Sequence, residues 1–283
     1  MANSNRAYVL PRSIGVKQLD GESWRTVALE VDRDSHIATL TLSRPQALNA
    51  ISQELAGELF AACELLATRA DVWSVIVAGA GERAFCAGAD LKERHVLSPD
   101  ERAAHTVAIE AAAEALAALP MPTIAAIRGF ALAGGAELAI ACDLRVASQD
   151  AMFGFPEVKI GIFPGAGGVL RLPRIVGGGV ARDLLFTGRR VTAEEAFRIG
   201  LVDRLVAPDT VLETATELAV SIGANAPLAV RAVKRALEES HARPLQDARI
   251  AVSALRAALD ATTDYEEGLA AFAEKRLPRF TGR

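Results

Sequence analysis

Apolar residues recur along this chain with two different periods, and the change from one to the other divides it. From Thr26 to Leu42 the run TVALEVDRDSHIATLTL gives two β-rich segments around a charged turn at Asp32 to Ser35, the pattern of a hairpin. The period then lengthens: Leu55, Leu59, Cys63 and Leu66 fall on one helical face behind Ser52, a favoured N-cap residue. Trp73 to Ala78 (WSVIVA) reads as a short strand buried on both faces, ended by Gly79 and Gly81. Ser98, Pro99 and Glu101 form a capping box with proline at the first helical position, opening an alanine-rich helix that Pro120 and Pro122 stop. Thr123 to Ile127 (TIAAI) is a second buried strand. Gly129 then leads to a small-residue turn at Ala133 to Gly135, a short helix through Ala141 and a strand at Asp143 to Ala147. Such alternation predicts an α/β domain with mostly parallel pairing and helices packed outside.

After Gly168 the pattern is helical. Capping boxes are expected at Thr192/Glu195 and Thr263/Glu266, helix starts near Asp209 and Pro227, and stops at Gly200, Gly223 and Pro244. The faces bearing Leu212, Ala215, Leu218 and Ile222, then Val230, Val233 and Leu237, carry more apolar surface than so few strands can cover, which predicts packing on a partner chain. The expected division is therefore an extension over residues 1–25, an α/β core over 26–207 and a helical region over 208–283. The first 19 residues hold Arg6, Arg12 and Lys17 and no acid, and are read as a loosely attached extension.

Composition narrows the function classes. A formal charge of −4, from 31 basic and 35 acidic residues without a long run of one sign, favours neither nucleic acid nor an acidic membrane surface. No uncharged apolar run reaches the length of a membrane span. Cys63, Cys86 and Cys142 are too scattered for a disulfide framework, so a reducing, cytoplasmic setting is expected. The histidines, His36, His95, His105 and His241, are dispersed, and no metal site is expected. HExxH, GxSxG, a P-loop, and a GxGxxG opening a helix after a strand are all missing.

Two carboxylates and two small-residue loops remain as candidate chemistry. Glu137 follows the Gly134-Gly135 pair and Glu157 follows Pro156, each in otherwise apolar or small surroundings where an ionised side chain is costly. A single predicted strand lies between them, so the chain can bring both to one pocket. Two carboxyls sharing a site push one pKa upward, which lets an acid and a base coexist near neutral pH. The loops are AFCAGADL (residues 84–91) and the turn at 133–135. They can present the N–H groups of Ala87 and Gly134 to a carbonyl oxygen on which negative charge develops, the second from a helix N-terminus. Together these features suit an acyl thioester. Cys86 has no cationic neighbour closer than Arg83 and is read as a packing residue.

The segments AFCAGADLKE (84–93), RGFALAGGAELAIACDLRVAS (128–148), FGFPEVKIGIFPGAGG (153–168) and TGRRVTAEEAFRIGLVDRLV (187–206) together resemble the crotonase, or enoyl-CoA hydratase, superfamily, in order and with its spacing, from about Arg25 to the terminal FAEKRLPRF. The resemblance implies a spiral of repeated ββα units and a helical trimerisation region, assembled as a homotrimer or a dimer of trimers. It implies an acyl-CoA substrate whose CoA needs no separate cofactor. Catalysis would fall to Glu137 and Glu157 and the oxyanion hole to the N–H groups of Ala87 and Gly134. Ala47, Leu48 and Ala89 would lie along the CoA, and Lys275 would reach a CoA phosphate, in many relatives that of a neighbouring subunit. Relatives that only shift double bonds usually keep a single acid at the Glu157 position, so both glutamates favour hydration. Val169-Leu170 stands where fatty-acyl hydratases tend to have Thr-Gln, which is similar to carnitinyl-CoA dehydratases, and Phe155 and Phe163, expected in the acyl pocket, also depart from commoner residues. Hydratase, carnitinyl-type dehydratase and isomerase remain open on this scaffold, as does an RNA-binding role known for a relative.

Overall fold

The computed structural model describes residues 24–283, so most of the predicted extension lies outside the described residues. The hairpin is present as β1 (Val27–Asp32) and β2 (Ile37–Leu42), antiparallel, with Val27 opposite Leu42. The first helix, α1 (Gln53–Ala67), starts where Ser52 accepts the Leu55 N–H at 3.2 Å, and buries Leu55, Leu59, Cys63 and Leu66 as the spacing predicts.

From there the chain repeats one unit. Strand β3 (Ser74–Gly79) is followed by β4 (Ala84–Cys86) and the helices α2 (Leu91–Val96) and α3 (Pro99–Ala117). Strands β5 (Thr123–Ile127) and β6 (Phe130–Leu132) precede α4 (Gly134–Ala141). Strands β7 (Leu144–Ser148) and β8 (Met152–Gly154) lead through a 3-10 turn, Pro156–Ile160, to α5 (Gly168–Val176). The first strand of each pair joins a six-stranded sheet, parallel from β2 through β3, β5 and β7. The second joins a four-stranded sheet in which β4, β6 and β8 run parallel. After α6 (Gly178–Thr187) comes β9 (Arg190–Thr192), which closes the small sheet antiparallel to β8. Beyond α7 (Ala193–Arg198), β10 (Arg204–Val206) extends the large sheet beside β7. This is the spiral of ββα units that the resemblance implies.

The four helices α8 (Val211–Gly223), α9 (Pro227–Ala242), α10 (Leu245–Leu259) and α11 (Thr263–Glu274) make up the last quarter. Thr192 caps α7 as expected, but the cap of α11 is Thr262, which accepts the Tyr265 N–H, one residue before the predicted Thr263. Partner packing was predicted for the apolar faces of α8 and α9, and the two behave differently. Val211, Ala215 and Ala219 of α8 are buried in a second core with Ile37, Ile76, Ile124 and Val146, and Leu218 and Ile222 pack against it, so that helix covers the open face of the large sheet. Val233 and Leu237 of α9 stay exposed, along with Leu245, Ile250, Leu269 and Phe272 farther on.

A residue with no apparent chemistry holds the site's first loop. Asn49 is wholly buried, donates to the carbonyls of Ala80 and Ala84 at 3.0 and 2.8 Å and accepts the Arg44 N–H at 2.9 Å. Replacing Asn49 with Ala leaves those buried groups unpaired and is expected to cost about 1–3 kcal/mol or more in urea unfolding. An unchanged midpoint would contradict the pinning role.

Candidate active site

Three loops converge on the N-terminus of α4. The first passes through a 3-10 turn at Pro45–Ala47 to Leu48 and Asn49, both with positive φ (54° each). The second follows β4. The Leu48 carbonyl accepts the Ala87 N–H at 3.0 Å, and Ile51 makes a parallel bridge with Ala89, its N–H donating to the Gly88 carbonyl at 2.8 Å and its carbonyl accepting the Asp90 N–H at 2.9 Å. Arg44 and Asp90 pair across the two loops at 3.0 Å. The third is Ala133, a non-glycine residue at φ 49°, strain of the kind that collects at functional sites, and it exposes the Gly134 N–H at the first position of α4.

These contacts correct the sequence reading of one donor. The Ala87 N–H is spent on Leu48 and has no proton to offer a ligand. Two residues on, the Ala89 N–H makes no backbone hydrogen bond among the described residues and faces α4: a methyl group placed on Gly134 would lie 3.8 Å from the Ala89 nitrogen and 3.2 Å from the Ile51 Cδ1. The available pair is therefore Ala89 and Gly134. Close approach is possible because Gly135 has no side chain; a Cβ there would sit 2.0 Å from the Cys86 carbonyl oxygen. Sequence spacing cannot separate Ala87 from Ala89, since only the pairing of Leu48 with the loop after β4 decides which N–H is consumed.

Glu137 lies one turn beyond Gly134 on α4 and is 3% exposed. Its Oε1 accepts the Gly168 N–H at 2.8 Å, at the N-terminus of α5, and the nearby Ala166 N–H also favours its charge. Burial raises its pKa to about 7, opposed by those N–H groups and by Arg171. Glu157, on the 3-10 turn after β8, is 7% exposed, and neither of its oxygens has a hydrogen-bond partner among the described residues. Burial also raises it to about 7, and the Glu137 charge adds to the shift. The two glutamates singled out in the sequence thus share one electrostatic environment. The Gly168 N–H that holds Glu137 is not singled out by the sequence; Gly167-Gly168 opening a helix is the available signal, an anion site of ordinary type.

The other expected residues are placed as follows. Ala47 and Leu48 are half-buried in the first loop, joined to the Ala87–Ala89 segment. Phe163 is exposed on the loop before α5, next to exposed Ile162 in the chain. Phe155 has no accessible surface and packs in the main core, so it is not part of an open surface around the site. Lys275, at the C-terminus of α11, is exposed with φ 55°, and among the described residues no hydrogen bond or ion pair joins it to these loops. All three cysteines are buried, their pKa values pushed to about 12 by burial. Among the described residues no cluster of three or more His, Cys, Asp or Glu side chains could hold a metal, and no helix is long and apolar enough to cross a membrane.

Buried carboxyls with raised pKa values make stability depend on pH. The folded chain keeps these protons up to about 7, whereas the ordinary glutamate value is 4.5, so the folded state binds more protons between those limits and loses stability as pH rises through them. Glu157→Gln removes the unpartnered charge. We expect the variant to unfold at higher temperature than wild type at pH 8 and at nearly the same temperature at pH 4.5; equal melting at pH 8 would show that Glu157 is not strained there.

A spiral of ββα units with two free N–H groups and two buried carboxyls at its centre defines a class of acyl-transforming scaffold, and sequence comparison agrees. Residues 32–283 match the enoyl-CoA hydratase/isomerase family. The chain is 45% identical to YngF of Bacillus subtilis over 88% of its length and 96% of that protein, and 39% identical to the short-chain-enoyl-CoA hydratase of Clostridium acetobutylicum over 87% and 94%. The crystal structure of enoyl-CoA hydratase from Bacillus anthracis superposes with a TM-score of 0.88 at 38% identity, covering 92% of this chain and all of that one. The chain belongs to the enoyl-CoA hydratase/isomerase family and has its crotonase fold.

Proposed function

We propose that this chain is an enoyl-CoA hydratase, adding water reversibly and syn across the double bond of a 2-enoyl-CoA. One observation carries the reading: two buried carboxyls in different surroundings, beside a pair of free backbone N–H groups. The Ala89 and Gly134 N–H groups receive the thioester oxygen and stabilise the enolate that forms as water adds, helped by the α4 dipole. Glu137, accepting the Gly168 N–H with the Ala166 N–H and Arg171 also favouring its charge, is the carboxyl suited to ionisation and takes the proton from water as its oxygen attacks the β carbon. Glu157, unpartnered, is suited to hold a proton and delivers it to the α carbon. The proton taken up by Glu137 then passes back to Glu157 through the next water, which restores the starting pair.

CoA enters as part of the substrate, with Ala47, Leu48 and Ala89 along its pantetheine and adenine. Lys275 reaches its phosphate from a neighbouring copy, which fits its exposure away from the chain's own loops. Phe163 borders the acyl chain. The exposed apolar residues of α9 to α11 support assembly as a homotrimer or a dimer of trimers, and in sedimentation equilibrium the chain is expected at three or six times its 29.8 kDa; a monomer at micromolar concentration would refute this. The activity test is incubation with crotonyl-CoA and longer 2-enoyl-CoA thioesters. Loss of enoyl absorbance with the mass gain of one water supports hydration, whereas a shifted double bond at constant mass would replace it with isomerisation.

A further inference from the structure

We propose that Arg171 is a positioning residue for Glu137, acting through the short segment from Ala166 to Gly168. This rests on the hydratase reading above and extends it to a residue that touches neither substrate nor, in any hydrogen bond, the Glu137 carboxylate. The segment gives Glu137 the Gly168 N–H hydrogen bond and an Ala166 N–H that favours its charge, and its own conformation is unusual: Gly167 has φ 102° and caps α5. Arg171 grips it from the far side. Its Nη1 donates to the Ala166 carbonyl at 3.1 Å and occupies the place where a Gly167 side chain would be, 1.8 Å from an added Cβ. The Arg171 backbone N–H donates to the Gly167 carbonyl at 2.8 Å, and Nη2 pairs with Glu114 on α3 at 2.7 Å. Beneath it, a Cβ on Gly168 would stand 2.7 Å from Pro164 and 2.9 Å from the Glu137 Oε1, so the segment has little room to move independently of the carboxylate.

The chain of contacts thus runs α3, Arg171, Ala166 to Gly168, Glu137. As a surface pair, Arg171 with Glu114 adds little to stability, because Glu114 is 55% exposed. A fork that holds two acceptors at once is the part that a lysine cannot reproduce. Arg171 is also the cation facing Glu137, where the other charged groups are Glu110 from α3 and Glu157 from the 3-10 turn. Its charge favours the ionised Glu137, so removing it shifts the acid side of the kcat profile to higher pH.

The test compares Arg171→Gln, Arg171→Lys, Glu114→Gln and, as reference, Glu137→Gln, by steady-state hydration of crotonyl-CoA over pH 5–9 together with thermal unfolding. We expect Arg171→Gln to lower kcat by about 10- to 100-fold with KM changed less than about twofold, and to move the acid limb upward. Arg171→Lys should restore the limb but only part of kcat. Glu114→Gln, which keeps the cation, should lose a smaller factor with the limb in place. Wild-type kcat and profile in Arg171→Gln, or a lowered Tm alone, would overturn the positioning role while an inactive Glu137→Gln leaves the hydratase reading standing. Full turnover in Glu137→Gln would instead remove both.

Discussion

Glu137→Gln and Glu157→Gln are each expected to lower kcat for 2-enoyl-CoA hydration by about 100- to 10,000-fold, with modest change in KM. An amide preserves the size and the Gly168 N–H contact of residue 137 but cannot take a proton from water; at residue 157 it cannot give one to carbon. Because both groups serve one water, the double variant should lose little more than either single one. With both carboxyls raised to about 7, the productive form is the pair sharing one proton, so wild-type kcat/KM should peak near pH 7 and fall on both sides, and the two limbs belong to the pair as a unit. Stopped-flow loss of enoyl absorbance measures all of this. Unimpaired turnover in both variants would end the assignment, and a loss confined to Glu157→Gln would point to isomerase-type proton transfer.

The second large effect is expected from Gly135→Ala, although the residue has no functional group. The added methyl would meet the Cys86 carbonyl oxygen at 2.0 Å and its carbon at 2.6 Å, both backbone atoms of β4 that cannot swing aside. Relief requires α4 to move away from β4, at a cost of about 1–3 kcal/mol in stability. That movement separates the Gly134 N–H from the Ala89 N–H, and misplacement by about 1 Å corresponds to roughly a 100-fold loss of rate. Guanidinium unfolding and kcat should therefore both fall. Gly57→Ala, in the interior of α1, is the control, since nothing lies within 4 Å of a Cβ there: kcat should stay at the wild-type value, and stability should rise by about 0.5–1 kcal/mol because alanine is the better helix former. If Gly135→Ala destabilised the chain but left kcat intact, the backbone pair would not be the oxyanion site.

Much of the architecture was legible because its signals are local. A hairpin with period-two residues, a Ser52 cap and the complete Ser98/Glu101 capping box each need only a few consecutive residues. The short strands β4, β6, β8 and β9 were read as turns or passed over; three residues carry no period, and they are strands only because the second sheet aligns them. The apolar face of α8, expected to pack on a partner chain, instead turns Ala215, Leu218 and Ile222 to the chain's own large sheet, while Leu212 stays exposed.

The site divides along the same line. Glu137 and Glu157 stood out from sequence alone because a carboxylate in apolar surroundings is costly and needs a reason, and that cost is a property of composition. Which N–H groups are free is a property of pairing. The loops could be named, but Ala87 and Ala89 are equivalent on paper until Leu48 takes one of them, and the grip of Arg171 on the Gly167 turn depends on a guanidinium folding back to α3. The sequence by itself determined the layered α/β order and the two acids. Only the tertiary structure decided the donors and the supports that aim those acids, because a backbone hydrogen bond is satisfied or free according to contacts that join residues far apart in the chain.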